Sequence, residues 1–151
     1  MDVLRRNTDY AMRAMVNLAG HYGQEPVSTR DIALAEDISY ELACKLMQKL
    51  KNVGMVKSSM GPNGGFALNR KPAKINLLEI ICAIQGPLSI NRCSLGEDVC
   101  QHQKGCPITV KLAKLQKYVS NYLGGITLDE LLRIQGAKKK RKAKNIKRRR
   151  I

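Results

Sequence analysis

The sequence predicts a mainly α fold with a small β-wing: a winged helix-turn-helix followed by a long helix. Three observations carry this. Apolar residues recur at helical spacing in separated segments. Two of those segments flank the tight corner "EDIS". A pair of short β-prone runs around "GPNGG" follows the second of them.

Each element has its own signal. Residues 8–22, "TDYAMRAMVNLAGHY", place Ala11, Met12, Met15, Val16, Leu18 and Ala19 at helical spacing behind a Thr8/Asp9 capping signal. Gly23 and Pro26 break that helix. Ser28 or Thr29 caps a short helix carrying Ile32, Ala33 and Ala35, and Ser39 caps another running to about Asn52. In this second helix the row Leu42, Leu46, Leu50 and Val53 is expected to face the core, with Gly54 as the stop. Met55 to Ser58 and Gly65 to Leu68 read as the two wing strands. Ile75 is extended, and a helix with Leu77, Leu78, Ile80, Ile81 and Ile84 ends near Gly86-Pro87. After a polar loop at roughly 91–107, Val110, Leu112, Ala113, Leu115, Val119 and Leu123 mark a long amphipathic helix ending at Gly124-Gly125. Thr127 caps a last short helix, "TLDELL".

At 151 residues the chain is one domain or one domain plus an appendage. With no Trp and a single Phe, its core must be aliphatic. Net charge is +15, which calls for a polyanionic partner. The charge is uneven: residues 138–150, "KKKRKAKNIKRRR", hold ten Lys/Arg and no acid, leaving seventeen basic against twelve acidic residues elsewhere. Such a run repels itself and is ordinarily a solvated, disordered tail that adds nonspecific phosphate attraction. No segment offers the roughly 20 apolar residues that span a bilayer, and the N-terminus has no signal-peptide pattern. The cytoplasm is therefore the expected compartment, without membrane association. Disulfide frameworks are rare there, and an odd count of five cysteines fits one poorly. His21 and His102 have no nucleophile beside them in the sequence, so no enzyme is expected.

The candidate DNA-reading surface is the outer face of the second helix of the helix-turn-helix. Glu41, Lys45 and Gln48 lie together there, with Ser39 and Tyr40 at its N-terminal end. Lys and Gln can meet base edges in a major groove, and a helix N-terminus can approach phosphate. Ser28 and Thr29 start the preceding helix; on the wing, Lys57, Gly61, Asn63 and Gly64 complete the set. The plainer reading makes Glu41 and Lys45 a solvated i, i+4 pair. The order of elements and the basic balance favour double-stranded DNA.

The segment "RCSLGEDVCQHQKGCP" gathers Cys93, Cys100 and Cys106 with the spacing C-x6-C-x5-C. It lacks the close pairs of zinc fingers and the ferredoxin run, yet three thiolates on a glycine-containing loop can reach one centre, and soft thiolates suit iron–sulfur clusters. Cys44 and Cys82, on helices, are assigned to packing.

"TDYAMRAM", the block from "STRDIALAEDISYELACKLMQKL" through "GPNGGFAL", "INLLEIICAIQGPL" and the three-cysteine loop occur in the same order in one bacterial family. The chain resembles the Rrf-type transcriptional regulators, which include the iron–sulfur regulator IscR and the nitric-oxide sensor NsrR, over about residues 1–134. That resemblance implies a winged-helix homodimer on a near-palindromic operator, acting as a repressor. It divides the chain into a DNA-binding domain at 1–86, a cluster-binding loop at 87–107, a dimerisation helix and short C-terminal helix at 108–134, and a basic tail at 135–151. It implies an iron–sulfur cluster, two-iron or four-iron, on Cys93, Cys100 and Cys106, sensing nitric oxide, redox state or iron–sulfur status. IscR-like members place a fourth ligand, His, three residues after the last cysteine; here Thr109 stands there. NsrR-like members use an Asp of the partner's first helix, which matches Asp9; His102 is the competing ligand. Many members carry Arg before the wing glycine, where this chain has Met60, with Lys57 and Arg70 as nearby cations. The rival expectations are a cluster-free regulator switched by thiols or by a partner, and a basic structural nucleic-acid-binding protein.

Overall fold

The computed structural model describes residues 3–91, 100–101 and 105–137. Helices α1 (Arg6–Gly20), α2 (Thr29–Glu36) and α3 (Tyr40–Asn52) precede an antiparallel hairpin, β1 (Val56–Ser59) and β2 (Gly65–Leu68). A 3-10 turn at Pro72–Lys74 leads to α4 (Leu77–Gln85), then α5 (Pro107–Gly125), and a last helix, α6, is described over 128–137. Mainly helical with one small sheet, this is the expected class.

The core lies where α1, α3 and α4 meet the foot of the hairpin. Ala11, Ala14, Met15 and Leu18 of α1 pack with Leu46, Met47 and Leu50 of α3, Ile80 and Ile84 of α4, and Val56 and Leu68 of the strands. The alanines let neighbouring helices approach closely, so an aliphatic core closes without large aromatics. Val27 adds a third edge to the sheet, exchanging hydrogen bonds with Phe66 at 2.9 and 2.8 Å. That approach requires Gly65: a Cβ there would collide with the Val27 carbonyl.

Local signals placed the caps of the helix-turn-helix. Ser28 accepts from the Asp31 amide at 3.1 Å, and Ser39 from the Leu42 amide at 3.2 Å. The corner between α2 and α3 turns at Asp37, the one described non-glycine residue with positive φ (53°). Thr127 caps α6, accepting from the Glu130 amide at 3.4 Å. An Asn76–Glu79 capping box starts α4.

Three local readings are corrected. The Thr8/Asp9 cap is not one: α1 begins after Arg5, which makes no side-chain cap, and Thr8 is fully buried inside the first turn. Its hydroxyl donates to Gln85 Oε1 at 2.7 Å, so tertiary contact took the residue that capping chemistry would have used. Val53 is half exposed rather than buried. Val53 is the C-cap, one residue beyond the end of α3, where the chain has left helical geometry and turns away from the core; Ala43, Leu46, Met47 and Leu50 hold the buried face. Finally, Cys82 is exposed and Cys44 only half-buried, so neither is a core packing residue.

The last two helices are held differently. Leu77 donates to Ile126 and Leu128 to Ile75, each at 3.0 Å, so the start of α6 returns to the body and buries Leu128 completely. Helix α5 has no buried residue at all. Among the described residues no helix is long and apolar enough to cross a membrane.

Candidate nucleic-acid interface and metal centre

Capped by Ser39 and turned by its apolar face onto the core, α3 leaves Glu41, Lys45 and Gln48 exposed. Gln48 Nε2 donates to Asn52 Oδ1 at 2.9 Å, one turn on, which orients its amide. Glu41 and Lys45 form no ion pair among the described residues. Lys45 instead lines a cleft toward the start of α1, so the solvated-pair reading does not hold. Tyr40 is exposed at the N-terminal end. A hydrogen bond with the Cys44 thiol, one turn on, raises its phenol above the ordinary value, while Arg30 of α2 pulls the other way. The hydroxyl therefore stays protonated at neutral pH, a neutral donor and acceptor on the exposed face. Arg30, which sequence reasoning did not single out, stands beside it; only the packing of α2 on α3 made that neighbour visible.

Ser28 and Thr29 sit half-buried at the start of α2, with the Ser28 hydroxyl turned to Asp31 Oδ2 at 2.7 Å. The wing tip projects fully: Met60, Gly61 and Asn63 are exposed and Gly64 is half-buried. Gly61 takes φ +106°, and its carbonyl accepts from Gly64 N at 2.9 Å to close the turn. Of the two cations near Met60, Lys57 is exposed on β1. Arg70 is already committed, to Glu79 Oε1 at 3.0 Å and the Lys74 carbonyl at 3.3 Å, where it braces the capping box of α4. It is therefore tied to the body of the domain.

Among the predicted metal ligands, Cys93 and the competitor His102 lie outside the described residues, as does the basic run 138–150. Cys100 is half-buried. Cys106 is the residue from which α5 starts. The backbone amides of Thr109 and Ile108, in the uncapped first turn of α5, lower the thiol below its ordinary range. Asp9 is exposed on the first turn of α1, with no side-chain bond among the described residues, so capping does not occupy it. The described residues hold no cluster of three or more His, Cys, Asp or Glu. The donor chemistry nonetheless fits a thiolate-ligated metal, because Cys106 is held toward the anionic form that binds one.

Both ends of the thiol loop are fastened to α5. Gln116 Oε1 accepts from Ile90 N at 2.9 Å and its Nε2 donates to the Leu88 carbonyl at 2.8 Å, while Cys106 is the helix's own first cap. Gln116 carries no sequence signal of this role; a polar residue on an amphipathic helix reads as solvated.

The Cys106 environment makes a pH prediction. Its folded value lies below that of the unfolded chain, so between the two values the native protein carries more thiolate. In iron-free protein, iodoacetamide is expected to alkylate Cys106 with a pH midpoint below that of an ordinary thiol. Urea should restore the ordinary midpoint, because only the folded first turn of α5 places the Thr109 and Ile108 amides beside the thiol.

Residues 4–134 match the Rrf2 family, described as an iron-dependent transcriptional regulator. The transcriptional regulator IscR of Xenorhabdus nematophila is 32% identical over 126 residues, covering 83% of this chain and 76% of that protein. Among solved structures, CymR, the global cysteine regulator of B. subtilis, superposes with a TM-score of 0.75 at 28% identity, over 89% of this chain and 98% of that one. IscR of T. potens does so with a TM-score of 0.70 at 30% identity, over 87% of each chain. With the family match spanning nearly the whole described fold, this chain belongs to the Rrf2 family of transcriptional regulators.

Proposed function

We propose that the protein is a homodimeric, DNA-binding repressor of the bacterial cytoplasm whose operator affinity is set by an iron–sulfur cluster. The observation that carries the DNA half is the exposed face of α3, between capped α2 and a projecting wing, on a chain of net charge +15. Gln48 and Glu41 meet base edges in the major groove, Tyr40 and Ser39 stand at the groove wall, and the Gly61–Gly64 turn with Lys57 follows the adjacent backbone. Ser28 and Thr29 bring the first turn of α2 to phosphate.

A second copy is the occupant that α5 fits. Ile108, Leu115 and Tyr122 repeat every seven residues and are each 45% exposed or more, with half-buried Leu112 and Val119 between them. This is the stripe that pairs one helix with another. Tyr118 and Tyr122 stack with ring centroids 6.5 Å apart and widen it. Pairing through α5 sets the spacing of the two reading heads, and a two-fold protein demands a near-palindromic site.

Cys93, Cys100 and Cys106 would hold the cluster, with Asp9 of the second copy as fourth ligand. When bound, the cluster supplies a centre that reacts with nitric oxide or oxidants. The chain's own part is mechanical. Gln116 and Cys106 tie the loop to α5, so ordering the loop orders the helix that spaces the heads. A coupling of about 1–3 kcal/mol between loop and heads changes operator affinity roughly fivefold to hundredfold.

The likeness to a cysteine regulator favours one second reading, in which the thiols act without metal through a reversible disulfide or a protein partner. Anaerobic purification separates the two. The cluster reading expects visible absorption, bound iron and sulfide, and operator affinity that changes when they are removed. A colourless protein whose affinity follows only thiol oxidation would establish the second reading.

A further inference from the structure

We propose that a backbone phosphate of the operator is seated in the cleft between the start of α1, the flank of α3 and the end of α4, held by Arg5, Lys45 and Lys49. This rests on the DNA-binding reading above and adds to it a subsite on elements outside the helix-turn-helix. The cleft encloses about 170 Å³, and Arg5, Asn7, Lys45, Lys49 and Gln85 supply its polar lining over an aliphatic floor. No acidic side chain lines it, and none of the three cations has an ion-pair partner among the described residues. Three converging like charges repel one another, and an anion between them removes that cost.

The cleft is built, not incidental. Gln85 at the end of α4 pins the start of α1, accepting from Arg5 N at 3.0 Å and Thr8 Oγ1 at 2.7 Å and donating to the Val3 carbonyl at 2.9 Å. Lys49 spends one of its three donors on the Ile84 carbonyl at 3.2 Å, which fixes the ammonium and leaves two donors for a ligand. The first turn of α1 has no side-chain cap, so the positive end of its dipole adds to the same field.

Location identifies the anion as DNA phosphate. Lys45 and Lys49 are one turn apart on a flank of α3, beside the face that carries Glu41 and Gln48. With that face in a major groove, this flank meets a phosphate row edging the groove. The other flank, with Tyr40, faces Arg30. The recognition helix thus has cations on both sides, one set for each groove wall, and Lys45 contacts phosphate instead of a base edge.

The test uses the full chain and a duplex that it selects from random-sequence DNA, with an unselected duplex as reference. Affinities of wild type, Arg5→Gln, Lys49→Gln, the double variant and Lys49→Arg are measured across salt concentrations. Loss of one phosphate contact per subunit flattens the log–log salt dependence by about 0.9 per contact, hence about two per dimer. The double variant is therefore expected to lose on the order of tenfold to hundredfold affinity for both duplexes, with their ratio unchanged. Lys49→Arg should keep the slope, and a neutral methylphosphonate at the contacted position should weaken wild type but not the double variant. An unchanged salt slope, or a changed ratio between duplexes, overturns the phosphate subsite while leaving DNA binding intact. Failure of wild type to bind any duplex overturns the DNA reading and the subsite with it.

Discussion

The Cys106→Ala variant is expected to purify colourless under anaerobic conditions and to bind operator with a single affinity, whatever iron and sulfide it is offered. Cys106 is where two roles meet: the Thr109 and Ile108 amides lower its thiol below the ordinary range, and it occupies the N-cap position of the helix on which the loop is mounted. Alanine removes the proposed ligand and the thiol's electrostatic contact with the first turn, but no capping hydrogen bond is lost. The lost response should equal the whole switch, fivefold to roughly hundredfold in affinity. Asp9→Ala tests the fourth ligand separately, since that side chain is exposed and makes no bond whose loss would disturb α1. It is expected to make the absorption labile rather than absent. If Cys106→Ala protein keeps its iron and its iron-dependent affinity, the loop is not the sensor. If iron is absent from wild type too, while Cys106→Ala abolishes only the response to oxidant, the thiol-switch reading stands.

The largest stability loss among single substitutions is expected at Ile80→Ala. Ile80 is fully buried on α4, in the cluster that joins α1, α3 and the strands, and its side chain is closed over by α1 and α3. Truncation leaves a cavity that rigid neighbours fill only in part, costing about 2–5 kcal/mol. Domains of this size hold roughly 5–15 kcal/mol in all, so the variant should sit close to the threshold of folding. Urea or thermal unfolding measures this directly, and Ile80→Val, expected to cost about 0.5–1.5 kcal/mol, provides the graded control. A cost under ~1 kcal/mol for the alanine variant would mean that α4 is not a wall of the core. Operator binding should fall with the folded fraction, because α4 both supports α3 and, through Gln85, positions the start of α1.

The order of elements was legible in the sequence because its signals are local. A 3.6-residue apolar period, a serine before a helix and a glycine at a wing turn each act over a few residues. Ser28, Ser39 and Thr127 accordingly cap the helices that they were expected to cap. The family, too, was legible, since the order of the blocks survives without any knowledge of their packing. Roles that depend on partners far along the chain were not. Thr8 carries an N-cap signal, yet Gln85, 77 residues away, claims its hydroxyl. Arg70 stands near the wing in sequence but is spent on Glu79. Lys45 has Glu41 one turn before it, yet forms no ion pair with it among the described residues and lines the cleft that Arg5 and Lys49 also line. Gln116, which carries no signal of its own in the sequence, fastens the loop. Capping and periodicity are decided within one or two turns of chain, so sequence alone determines them. The partner of a long polar or charged side chain is decided by whatever the folded core brings within about 3 Å, and only the tertiary structure does that.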